Sequence, residues 1–230
     1  MGDVTVLPCD PDQLDASLEV AAATVRGGGL VVLPTDTVYG IGADAFDASA
    51  VAALLAAKGR GRQMPPPVLV GGPEMLDVLG LDVPQPARAL AERFWPGALT
   101  LIVRCQPTLD WDLGDTGGTV ALRMPDDEVA LALLRRTGPL AVSSANRTGQ
   151  PAATSATDAR DQLGARVAVY LDAGDSAGGV PSTIVDARTS RLAIVRSGAI
   201  DAATLATVVP HLAAEVDDAG PSAETEAEPA

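Results

Sequence analysis

The sequence predicts an α/β protein, a single domain on a mixed sheet with flanking helices. Two observations carry this. Short runs of Val, Leu and Ile alternate with Ala-rich segments of helical length across residues 30–212. Several neighbouring apolar runs are joined by connections too short for a crossover helix, which argues against a purely parallel sheet. A length of 230 residues suits one domain with a tail, assigned here as 1–214 and 215–230. With aromatics at 3%, the core has to be aliphatic.

The elements follow in order. Residues 30–33 form a buried strand after the glycine run 27–29. A helix spans 49–57, with Asp47 or Ser49 as its N-cap. Residues 68–70 are a strand, and 87–94 a helix stopped by Pro96 and Gly97. Strands at 99–104 and 119–123 flank a loop around Trp111. The helix over 126–136 places acidic residues at its start, where the macrodipole favours them. A strand at 140–143, a helix at 155–163, strands at 167–171, 183–185 and 192–195, and a last helix at 201–212 complete the domain.

The net charge is −14, and the acidic residues of 215–230 supply six of those charges, leaving −8 for the rest. That tail is rich in Ala, Pro, Glu and Ser and has little to bury, so it is expected to be disordered. An acidic body argues against tight, nonspecific nucleic-acid binding, which needs many phosphate contacts from Lys and Arg. Cys9 and Cys105 form no CxxC, which makes a disulfide framework or zinc ribbon unexpected. No apolar run reaches membrane-spanning length and the N-terminus lacks a signal-peptide pattern. Together these features point to a cytoplasmic protein with no membrane partner.

Much familiar chemistry is excluded. The lone histidine, His211, lies on the last helix beside the tail, so a histidine triad or dyad is not expected; a His/Cys metal cluster needs several ligands, and no protein metal site is expected. Neither GxxxxGK[ST] nor a strand-following GxGxxG occurs.

Five polar segments remain. In "PTDTVYGIG", Thr35, Asp36 and Thr37 follow a strand end, where ligands bind in α/β sheets; a self-capping turn fits as well. In "KGRGR", Lys58 is the only lysine among sixteen basic residues. Three positive charges in five residues suit a triphosphate, and Gly59 and Gly61 let the backbone turn closely. Helix C-terminal charge compensation explains Lys58 well, but Arg60 and Arg62 less well, which favours the functional reading. Ser143, Ser144 and Asn146 in "AVSSANRTGQP" can hold a carboxylate or phosphate, or make an ordinary turn. Ser182 and Arg196 lie beside strands. Arg123, inside the apolar strand "TVALRMP", needs an anionic partner, structural or ligand.

Taken in order, these segments resemble the YrdC-like family of threonylcarbamoyl-AMP synthases over about residues 30–198, with "FWPGALTLIV" and "PSTIVD" adding to the likeness. The resemblance implies a twisted mixed sheet with a deep central cavity. It implies the reaction of L-threonine, bicarbonate and ATP, with Mg²⁺, to threonylcarbamoyl-AMP and pyrophosphate, which a downstream threonylcarbamoyl transferase uses on tRNA. The motif roles fall on Lys58, Arg60, Ser144 and Asn146. ATP is expected at Lys58, Arg60, Arg62, Thr119, Ser144 and Arg196, and threonine at Thr35, Arg123 and Ser182. Direct tRNA binding is expected to be weak or indirect. Where the family often has His or Lys after the K-x-R motif, this chain has Met64, and Arg62 is the candidate to replace that cation. A phosphate-holding Lys58 predicts that Lys58→Ala abolishes pyrophosphate release and leaves the fold intact. Two other readings are an RNA-binding module and a carbamoyl-adenylating maturation factor; the acidic balance speaks against the first. The second is a much longer protein with zinc-finger cysteines, absent here.

Overall fold

The structure, a computed structural model, describes residues 4–176 and 179–216. Most of the segment assigned as an acidic tail, residues 217–230, lies outside the described residues. The strands are β1 (Thr5–Pro8), β2 (Val31–Leu33), β3 (Gly40–Asp44), β4 (Val68–Leu69), β5 (Leu99–Arg104), β6 (Thr119–Arg123), β7 (Leu140–Ser144), β8 (Val169–Asp172), β9 (Thr183–Asp186) and β10 (Ala193–Arg196). They form one ten-stranded sheet in the order β1-β8-β2-β3-β7-β4-β6-β5-β9-β10. It is mixed, as expected. β8 runs parallel to both β1 and β2, while β3 is antiparallel to both β2 and β7. β5 is antiparallel to β6 and parallel to β9.

The helices are α1 (Leu14–Arg26), α2 (Ala48–Lys58), α3 (Met75–Leu79), α4 (Gln85–Phe94), α5 (Glu128–Thr137), α6 (Ala156–Leu163) and α7 (Ala202–Ala206). Strand alternation decides which helices cover which face. Val31 and Leu33 of β2 and Val169 and Leu171 of β8 join a cluster with α1 and α5. The intervening Val32 and Tyr170 join α2 and α6 in another. A third cluster gathers β4, β5, β6 and β9 with α3, α4 and Trp95. Each fully buried aliphatic side chain contributes about 1.5–3 kcal/mol, so an aliphatic core holds this sheet without many rings.

The last helix is shorter than the sequence suggests. α7 stops at Ala206, and a 3₁₀ segment runs from Pro210 to Val216. Pro210 has no N–H and disfavours α geometry in the residue before it. β1, α1, β3 and α3 were not anticipated.

Candidate active site

A cavity of about 460 Å³ opens along the middle of the sheet. Its wall draws on the β2–β3 loop (Thr35, Thr37), the loop after α2 (Arg60 and Met64), β5 (Thr100), β6 (Thr119 and Arg123), the end of β7 (Ser143, Ser144), and Ser182 and Arg196. Three guanidinium groups therefore face one hollow, and among the described residues no carboxylate lines it.

The local structure explains how each cation arrives. Asp47 caps α2, its Oδ1 accepting from the Ser49 and Ala50 N–H groups at 2.9 and 3.1 Å. Such a cap is worth about 1 kcal/mol. At the other end the Gly59 and Arg60 N–H groups fold back to the Ala56 and Leu55 carbonyls, which turns the chain out of the helix at Arg60. Arg60 then donates from Nη1 to Ser143 Oγ at 3.0 Å, and no described carboxylate pairs with it. Burial pulls its pKa below the ordinary arginine value. Arg196 donates to the Ser182 carbonyl at 2.6 Å, and Ser182 Oγ lies 2.8 Å from Thr100 Oγ1. Burial lowers the Arg196 pKa first, and repulsion from Arg123 adds to it. An anion placed between these groups would relieve both effects.

Arg123 is different. It donates to Asp36 Oδ1 at 2.6 Å, to Thr37 Oγ1 at 2.9 Å and to the Gly97 carbonyl at 3.0 Å. Its anionic partner is thus a structural carboxylate. Burial lowers its pKa, and Asp36 opposes that shift. Thr35 Oγ1 donates to the Val38 carbonyl at 2.6 Å and accepts from the Thr37 and Val38 N–H groups, so this turn caps itself and lines the cavity at once.

Lys58 does not reach the cavity wall. Its side chain is 1% exposed. The ammonium donates to the Ser144 carbonyl, to the Asn146 carbonyl at 2.7 Å and to Asn146 Oδ1 at 3.2 Å. Those three acceptors match its three N–H bonds. Asn146 Nδ2 in turn donates to the Arg147 and Gln150 carbonyls at 2.9 and 2.6 Å. Burial, then repulsion from Arg60, pulls Lys58 down to about 7. Lys58 therefore ties the end of α2 to the end of β7 at Ser144 and to the loop that follows it, with Asn146 as its partner.

A family model described as telomere recombination, for the Sua5/YciO/YrdC domain, matches residues 23–198. The chain belongs to the Sua5/YciO/YrdC family. It is 56% identical over 200 residues to a putative threonylcarbamoyl-AMP synthase of Mycobacterium leprae, covering 87% of this chain and 91% of that one. It is 38% identical over 186 residues to the threonylcarbamoyl-AMP synthase of Pyrococcus abyssi, covering 80% of this chain and about half, 54%, of that protein. The structure of P. abyssi Sua5 complexed with L-threonine superposes with a TM-score of 0.85 at 33% identity, covering 90% of this chain and 61% of that one.

Within this Sua5/YciO/YrdC fold, Thr35, Arg60, Thr119, Arg123, Ser144, Ser182 and Arg196 share one cavity. Lys58, Asn146 and Arg62 are not among its lining residues. Arg62, expected to hold phosphate, instead lies more than half exposed and paired with Asp112. Thr100 was missed: a buried hydroxyl in the apolar run "LTLIV", its signal was a single polar residue on an alternating strand.

Proposed function

We propose that this chain is an L-threonylcarbamoyladenylate synthase, condensing L-threonine, bicarbonate and ATP to threonylcarbamoyl-AMP and pyrophosphate. The observation that carries this is one hollow faced by Arg60, Arg123 and Arg196, with no carboxylate of the described residues on its wall. The names of the Mycobacterium and Pyrococcus relatives support the reaction, and the threonine complex of P. abyssi Sua5 supports the amino acid.

The chemistry suits such a wall. The threonine amine adds to the carbon of bicarbonate and water leaves, giving a carbamate. A carbamate oxygen attacks the α-phosphorus of ATP, the bond to the β-phosphate oxygen breaks, and pyrophosphate departs. Both reactants are anionic, and fixed cations in a partly dry cavity offset their repulsion and the charge on the transferring group. We assign the phosphates to Arg60 and Ser144, the nucleotide also to Thr119 and Arg196, and threonine to Thr35, Arg123 and Ser182. Lys58 and Asn146 hold Ser144 in position. Mg²⁺ is read as part of the nucleotide substrate: the wall offers hydroxyls and guanidiniums, and Mg²⁺ prefers carboxylate and phosphate oxygens.

No helix among the described residues is long and apolar enough to cross a membrane, and Cys9 and Cys105 are free thiols; a cytoplasmic enzyme fits both. Its product would pass to a threonylcarbamoyl transferase, and contact with tRNA itself would be weak, since Arg26, Arg62, Arg88, Arg104, Arg136 and Arg188 already have carboxylate partners. The test is pyrophosphate release with L-threonine, bicarbonate and ATP each omitted in turn. Release that needs all three supports the assignment; release from ATP alone at the full rate defeats it.

A further inference from the structure

We propose that Arg62 is a positioning residue, a latch that joins two loops lining the cavity and so holds Arg60 and Met64 in place for the nucleotide. The identity of that ligand rests on the function proposed above; the latch itself rests on geometry.

The first loop joins α2 to β4 and brings Arg60 and Met64 to the cavity; the second joins β5 to β6 and brings Leu113 and Thr116. Arg62 grips the second loop with two parallel bonds, Nη1 to Asp112 Oδ2 at 2.9 Å and Nη2 to Asp112 Oδ1 at 2.8 Å. Its Nε lies 3.5 Å from Asp115 Oδ1. The backbones meet as well: the Asp115 N–H donates to the Arg62 carbonyl at 2.8 Å. Gly114, at φ +104°, permits this approach, because a Cβ there would stand 2.6 Å from the Arg62 carbonyl oxygen. Asp112 Oδ1 also accepts from the Gly114 N–H at 3.0 Å, which fixes the carboxylate toward the arginine. On its far side the second loop is anchored by Trp111, stacked on Phe46 with ring centroids 5.3 Å apart.

The hydrogen bonds with Asp112 raise the Arg62 pKa and lower that of Asp112, in keeping with a formed pair. A phosphate contact by Arg62 would require breaking this arrangement. The "KGRGR" charges thus divide three ways: Lys58 braces the end of β7 at Ser144, Arg60 faces the cavity, and Arg62 ties the loop after α2 to its neighbour.

An isolated exposed pair does little, but a bidentate pair with a second carboxylate and a backbone bond shares its ordering cost. We therefore expect Arg62→Gln and Asp112→Asn each to raise KM for ATP about threefold to tenfold, with kcat within about twofold of wild type. The two effects should not add in the double variant, because either change opens the same latch. The exchange Arg62→Asp with Asp112→Arg should recover part of the affinity. A phosphate ligand gives a different pattern: Arg62→Gln raises KM, while Asp112→Asn leaves it unchanged or lowers it. That pattern, or no change in either variant, overturns the proposal. Amide hydrogen exchange at Asp115 in the nucleotide-free protein supplies a readout independent of turnover. It should accelerate in both single variants, and equal rates in wild type and variants would overturn the latch. If the wild-type protein releases no pyrophosphate, the functional reading fails, and the exchange rates alone decide whether the latch exists.

Discussion

Lys58→Met keeps an unbranched apolar stem, one atom shorter, at a residue that is 1% exposed and removes its charge and its three N–H donors. The Ser144 carbonyl, the Asn146 carbonyl and Asn146 Oδ1 then lose their shared partner. A buried acceptor left without a donor costs about 1–3 kcal/mol. The Ser144 carbonyl keeps the Asn146 N–H at 2.9 Å, so two acceptors are orphaned, and their cost is offset in part by relief of the desolvation that holds Lys58 at about 7. The net expectation is a destabilisation of about 1–3 kcal/mol. For a chain of this size each kcal/mol lowers the midpoint by about 2–4 °C, so the melting temperature should fall by about 2–12 °C. Thermal unfolding followed by circular dichroism measures it, and pyrophosphate release well below the midpoint shows whether Ser144 at the end of β7 has also lost its position. Read as a phosphate ligand, Lys58 could be removed with the fold unharmed; read as a brace, it cannot. A variant within about 0.5 kcal/mol of wild type would refute the bracing role.

Two further outcomes follow from the same structure. The Lys58 pKa lies at about 7 in the folded protein against 10.5 ordinarily, so between those values the unfolded chain holds a proton that the native state lacks. Stability from this group is lowest below about 7 and rises toward pH 10.5, so wild type should gain on Lys58→Met by up to about 1.4 kcal/mol per pH unit in that window; parallel pH profiles would show that the group does not titrate there. Asp36→Ala strips Arg123 of its carboxylate in a site where their side chains are 8% and 17% exposed, and should destabilise the protein by about 3–5 kcal/mol in thermal unfolding; a loss under about 1 kcal/mol would mean that the cavity solvates Arg123 unaided.

Much of the sheet was legible because its strands obey a local rule. β5 and β6 sit at residues 99–104 and 119–123, the bounds their apolar runs suggest. β3 escaped because Gly40 and Gly42 look like loop punctuation. They are small for packing: a Cβ on Gly40 would stand 2.6 Å from Val142 Cγ1 of β7. α1 left a signal that went unread, since its buried Leu18, Ala21, Ala22 and Val25 recur at helical spacing. In the site, Arg60, Arg123 and Arg196 stood out as cations beside strands or a helix end. The partners of the other charges were hidden by distance along the chain. Asp112 lies fifty residues from Arg62, and Asn146 eighty-eight from Lys58, so neither spacing nor composition says that these cations are already engaged.

Arg60 and Arg196 share the hollow with Arg123, and among the described residues neither has the carboxylate partner that Arg123 finds in Asp36. Calorimetric titration with Mg·ATP tests this most directly, comparing wild type with Arg60→Met, Arg196→Met and a control, Arg188→Met, whose guanidinium is held by Asp186 outside the cavity. Affinity should fall about tenfold or more in each of the two cavity variants, the size of one lost charged hydrogen bond, and stay at the wild-type value in the control. Equal affinity in all four proteins would contradict the central claim.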